Sequence, residues 1–135
     1  MTKADFQRLA EIRIREAGVL FAAGEFDGAY YLAGYGIECA LKACIITMLQ
    51  RSDSWPEQNF SKNSWTHDLK MLAETAGLLD AINNAGQLTV KWLLVKDWTE
   101  QSRYKHGRPA PEVRQFYEAI TDPNDGVLQW LKARW

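Results

Sequence analysis

Glu38 and Lys42 stand four residues apart inside Gly28 to Ala43, GAYYLAGYGIECALKA, a stretch built otherwise of small, aromatic and aliphatic residues. Four residues is about one turn of an α-helix, so both ionisable groups stand within one turn of a helical spine. Burying either one alone costs on the order of several kcal/mol, so the two need partners or a solvent-filled site. A second group of reactive side chains lies at Ser102 to Ala110, SRYKHGRPA. Metal-free RNA cleavage needs a base for the 2′-hydroxyl proton and a fixed cation for the pentavalent phosphorane, roles suited to His and Arg. Arg103 and His106 supply those two side-chain types. Between Ser102 and Arg114, Arg103, Lys105, Arg108 and Arg114 face one carboxylate, Glu112, and Tyr104 offers a ring for base stacking. This is the strongest polyanion patch in the chain, and its alternative reading is an ordinary solvated loop beside a helix end. His67 either joins the same site or bonds a neighbouring carbonyl. Arg103 has a structural alternative too, a bidentate fork onto Glu38 from across the fold. Tyr30, Tyr31 and Tyr35 read as packing residues with their hydroxyls at the core edge.

With 135 residues and six Trp, the chain suits one domain, residues 1–135, whose core needs no staples. A formal net charge of −1 gives no overall attraction to polyanions, so nucleic-acid contact has to come from a local patch. The start, MTKADFQRLAEIR, lacks the pattern of a secretory signal, and no run of about 18 apolar residues suited to a bilayer is evident. A cytoplasmic protein without membrane contact is the expectation. The two cysteines, Cys39 and Cys44, point about 140° apart on one helix and read as small core residues. Neither a metal site nor a cofactor is expected.

The elements that must position these groups are helical. Phe6, Ala10, Ile14, Ala17 and Phe21 recur at steps of three and four, predicting a first amphipathic helix over 5–23, with Thr2 and Asp5 as its capping pair and Gly24 as its stop. Asp27 reads as the cap of a long second helix to about Gln50. Within it Ala33, Gly36, Ala40 and Ala43 form a small-residue face that lets neighbours approach closely. Arg51 to Trp65 is polar and reads as a long loop anchored by Trp55 and Trp65. Thr66 then caps a third helix with Leu69, Leu72, Ala73 and Ala76 inward and Gly77 as its end. After a connector over 78–86, a fourth helix is predicted from Leu88 to Gln101, burying Leu88, Trp92, Val95, Leu94 and Trp98. Pro111 opens a fifth helix and Asp122–Pro123 a sixth. The fold class is therefore all-α, an up-and-down bundle of four to six helices.

Four features in order, the first amphipathic helix, GAYYLAGYGIECALKA, the WTHDLKML opening of the third helix and the SRY triplet, make the chain resemble the HEPN domain family over nearly its whole length. The resemblance implies a homodimer, a small nucleotidyltransferase as partner, and a place among metal-independent ribonucleases, toxins and their inactive relatives. The nuclease branch of that family carries an Arg followed four to six residues later by a His. Here only two residues separate Arg103 from His106, and Ile46 fills the third place of the Glu–Lys series on the second helix. The SRY form looks more like the branch that accompanies nucleotidyltransferases. The reading is a nucleotide- or RNA-binding or nucleotidyltransferase-partner module, part of a toxin–antitoxin-like pair, engaging its ligand through Glu38, Lys42, His67, Arg103, Tyr104, Lys105 and Arg108. Its rivals are a ribonuclease using Arg103 and His106, and a helical scaffold whose Trp55, Trp65 and Trp135 bind another chain.

Overall fold

The computed structural model describes residues 1–51 and 66–135. Among the described residues the chain is all-helical. The elements are α1 (Lys3–Ala22), α2 (Phe26–Arg51), α3 (Leu69–Thr75), α4 (Leu79–Asn83), α5 (Gln87–Val95), a 3-10 turn (Glu100–Tyr104), α6 (Ala110–Thr121) and α7 (Val127–Lys132). The segment with Trp55 and Trp65, two of the three aromatics of the scaffold reading, lies outside the described residues. Trp135 is half-buried, packs on the core and lies under Lys132.

The first two helices form the frame. Thr2 Oγ1 accepts from the Asp5 amide at 3.1 Å while Asp5 accepts from the Thr2 amide at 2.8 Å, a reciprocal cap. Gly24, at φ 81°, turns the chain into α2. The small-residue face does what its spacing predicts: a Cβ built on Gly36 would lie 2.5 Å from Ile14 Cγ1 and 3.1 Å from the Ala10 carbonyl oxygen, so α1 and α2 nearly touch there. On α2, Ala33, Ile37, Ala40 and Leu41 are fully enclosed, packed by Ile14 and Ala17 of α1, Leu69 and Leu72 of α3, Trp92 of α5, Phe116 and Ile120 of α6 and Leu131 of α7. At about 1.5 Å per residue α2 runs near 39 Å, long enough to touch almost every other element.

Several boundaries depart from expectation. Phe26–Gln50 meets the length and hydropathy of a membrane span, with mean hydropathy 1.5, where the sequence reading saw no such run. Its apolarity is matched by burial inside the bundle, 67% of that window being enclosed. Asp27 lies in the first turn of α2 and turns its carboxylate to another segment, as described below. Asp68 caps α3 by accepting from the Met71 amide at 2.9 Å, and Thr66 accepts in turn from the Asp68 amide at 3.1 Å. The predicted fourth helix stops at Val95, and the chain re-enters as the 3-10 turn. Leu94 lies off the buried stripe of Leu88, Trp92 and Val95 and is exposed with Val90 and Leu93, while Trp98 is buried from the connection. The last helix opens at Val127 from Gly126, because Asp122 accepts from the Asn124 amide and Lys91 pairs with both Asp122 and Asp125, holding the turn between α6 and α7.

Candidate functional site

One stripe of α2 carries Asp27, Tyr31, Gly34, Glu38 and Lys42, spaced by four, three, four and four residues. The 3-10 turn packs on α2, and its flanking segments meet this stripe.

Glu38 is 2% exposed. Its Oε1 accepts from Lys42 Nζ at 2.8 Å and pairs with His67 Nδ1 at 2.8 Å. Its Oε2 is buried and has no hydrogen-bond partner among the described residues. The cost of enclosing the carboxylate is thus met by two groups that themselves reach the surface, Lys42 with 16% and His67 with 48% of the side chain exposed. A carboxylate on Nδ1 favours the tautomer in which Nδ1–H donates, leaving Nε2 as the acceptor nitrogen. His67 therefore joins the α2 pair as the sequence allowed. The Arg103 fork onto Glu38 does not form: Lys42 and His67 are the partners of the carboxylate, and the guanidinium lies over the Tyr104 ring.

Arg103 and Tyr104 close the 3-10 turn and are both exposed, Tyr104 at 71%. The Arg103 guanidinium lies 4.9 Å from the Tyr104 ring centroid. The neighbouring phenols of Tyr104 and Tyr31 hold its charged form more firmly than usual. Glu100 sits at the same place: its carboxyl is lowered chiefly by its own backbone amide and by Gln101, with smaller contributions from the charges of His67 and Arg103. The turn itself is set by Trp98, 1% exposed, whose ring lies directly on Gly34 and stacks on Tyr31 at 6.0 Å.

The other half of the expected site lies elsewhere. Asp27, about 16 Å along α2 from Glu38, accepts from the amides of Gly107 and Arg108 at 2.9 and 3.0 Å. Arg108 lies 3.7 Å from the Tyr30 ring centroid and donates to Glu112 at 3.1 Å, so its charge is already engaged. The charge of His106 acts on Asp27. Lys105 has extended backbone and interrupts the helical path between Arg103 and His106, so the two do not share a helix face. Cys39 and Cys44 are free and buried, their thiols pushed by burial up to about 11 and about 12. Among the described residues no group of three His, Cys, Asp or Glu is arranged to hold a metal ion.

No family model, curated protein or solved structure matches the chain.

The Asp27 clasp was missed at the sequence level, although its position three turns before Glu38 on the same face was readable. Glu100 gave no sequence signal at all. The clasp carries a pH prediction. The two amides hold the Asp27 carboxyl below its ordinary value of 3.8, so its contribution to loop order is complete above that value and is lost as pH falls through the lower, folded value. Hydrogen exchange at the Gly107 and Arg108 amides is expected to accelerate in Asp27→Ala at neutral pH, and exchange equal to that of the unaltered protein would show that the clasp holds nothing.

Proposed function

We propose that this chain is a HEPN-type helical module that binds the phosphates of RNA or a nucleotide at the turn carrying Arg103, Tyr104 and Lys105, without chemistry by the Arg103–His106 pair. One observation supports the reading: Arg103 lies against an exposed tyrosine ring, with exposed Lys105 next in the chain. Cations beside a solvent-facing aromatic suit a single-stranded ligand, whose phosphate takes the charge and whose base takes the ring. The Tyr104 ring is 71% exposed, so its face is open to a ligand. Arg108, engaged by Tyr30 and Glu112, is left out of the proposed contact set. The −1 net charge makes the patch a local rather than a global attractor.

The test is fluorescence anisotropy with a labelled single-stranded RNA 12-mer at several salt concentrations. Binding is expected to weaken with a log–log salt slope of roughly −1.4, about 0.7 for each phosphate contacted by Arg103 and Lys105. Lys105→Glu is expected to lower affinity about tenfold and flatten the slope, and Tyr104→Ala to cost about 1–3 kcal/mol of stacking without changing it. Salt-insensitive binding, or affinity unchanged by both substitutions, removes the phosphate-contact reading.

A further inference from the structure

We propose that the backbone amides of Gly107 and Arg108 form a phosphate-binding site that the Asp27 carboxylate fills from within the chain, so that a ligand phosphate enters by displacing Asp27. That the phosphate belongs to RNA or a nucleotide rests on the reading above. The site itself stands on the geometry of the 105–109 segment.

Two successive amides converge on one carboxylate, each on its own oxygen: Gly107 donates to Oδ2 at 2.9 Å and Arg108 to Oδ1 at 3.0 Å. Consecutive N–H groups turned toward one point make a concave anion site of backbone alone. The left-handed conformation of Gly107, at φ 84°, suits that convergence and favours glycine there. A phosphate presents paired oxygens to two donors as a carboxylate does. The approach is open: a Cβ built on Gly107 would meet nothing within 4 Å beyond its chain neighbours, and Lys105, His106 and Gly107 are all exposed. Cations gather at the same place, since the charges of His106 and Arg108 act on Asp27. The other carboxylates on this side already have partners, Glu112 in the Arg108 guanidinium and Asp97 in Lys96.

Asp27 has somewhere to go. It lies in the first turn of α2, where a carboxylate swung back onto its own helix meets the unpaired amides and positive dipole end of a 26-residue element. Asp27 brings one negative charge to the amides, whereas a phosphate monoester brings up to about two and a third oxygen for Lys105. Lys105 and Gly107 are two residues apart, at most ~7 Å of chain, so one ligand reaches both. An internal carboxylate that fills the site about nine-tenths of the time lowers the affinity for phosphate there about tenfold.

The experiment follows amide hydrogen exchange in Asp27→Ala, with inorganic phosphate as the probe and sodium chloride at equal ionic strength as the control. Loss of the carboxylate speeds exchange at Gly107 and Arg108, and phosphate, unlike chloride, is expected to slow it again. Read by NMR shifts of the same amides, half-saturation by phosphate is expected at about one-tenth of the concentration the unaltered protein needs. Anisotropy with the RNA 12-mer, with and without a 5′-phosphate, then tests the ligand. Asp27→Ala is expected to bind RNA about tenfold more tightly, with the salt slope steepened from roughly −1.4 to roughly −2.1 by one more phosphate contact. A gain confined to the 5′-phosphorylated strand assigns the site to a terminal phosphate, and a gain with both strands assigns it to the backbone. A clasp that merely orders the segment gives the opposite sign, so RNA binding weakened or unchanged in Asp27→Ala overturns the competition. Exchange that phosphate fails to slow, or equal half-saturation in the two proteins, overturns the site and leaves the RNA-binding reading standing. Phosphate rescue with no RNA bound by either protein supports the site and overturns that reading.

Discussion

Gly34→Ala is expected to lower the stability of the fold by about 3 kcal/mol, the upper end of the usual cost of overpacking a core. A Cβ at this position would lie 2.2 Å from both Cδ1 and Nε1 of the Trp98 ring and 2.3 Å from Cε2, well inside contact distance. The ring has little room to give way, because it is 1% exposed and stacks against Tyr31. The backbone connection to the 3-10 turn would have to move instead, taking Arg103 and Tyr104 with it. Chemical denaturation reads the first effect as a lower midpoint at unchanged slope, and RNA anisotropy reads the second as weaker binding by the protein that remains folded. A midpoint within about 0.5 kcal/mol of the unaltered protein, the scale of a neutral surface change, would mean that Trp98 does not pack on Gly34.

The second large effect concerns Glu38. Glu38→Gln keeps the size of the side chain and removes its charge, leaving Lys42 and His67 without their anion. The expected cost is about 3 kcal/mol, the low end for breaking a buried ion pair, since both partners reach water. Replacing both members of the α2 pair, as Glu38→Leu with Lys42→Met, is expected to recover most of that loss, because an apolar pair of similar volume is often as stable as a buried ion pair. The double variant separates stability from function: it should melt near the unaltered protein yet bind RNA more weakly, having lost Lys42 and the support of His67. If the double variant binds as tightly as the unaltered protein, the buried carboxylate serves packing alone.

These two positions also mark what the sequence made legible. The small-residue spacing on α2 foretold the close approach of a neighbouring helix, and Thr2 with Asp5 foretold the cap of α1, both of them contacts within one turn or one repeating face. The long-range contacts were hidden. Nothing local distinguishes Asp27 as the acceptor for two amides in the 105–109 segment from Asp27 as a helix cap, because both roles use an acidic residue at the start of a helix. The 3-10 turn was concealed for a related reason. The apolar pattern from Leu88 to Trp98 continues past Val95, but Trp98 is buried by Gly34 of α2 and not by a continuation of its own helix. Arg103 and His106 lie three apart in sequence, as they would on neighbouring helical positions, and the extended backbone at Lys105 removes that relation.

The most direct measurement is a titration of isotopically labelled protein with the single-stranded RNA 12-mer, followed residue by residue by NMR. Saturable shifts are expected at Lys42, His67, Arg103, Tyr104 and Lys105, with the exposed Val90, Leu93 and Leu94 of α5 unmoved. Shifts that cluster on α5, or a spectrum that RNA leaves unchanged, would contradict a shared site between the buried carboxylate of α2 and the Arg103–Tyr104 turn.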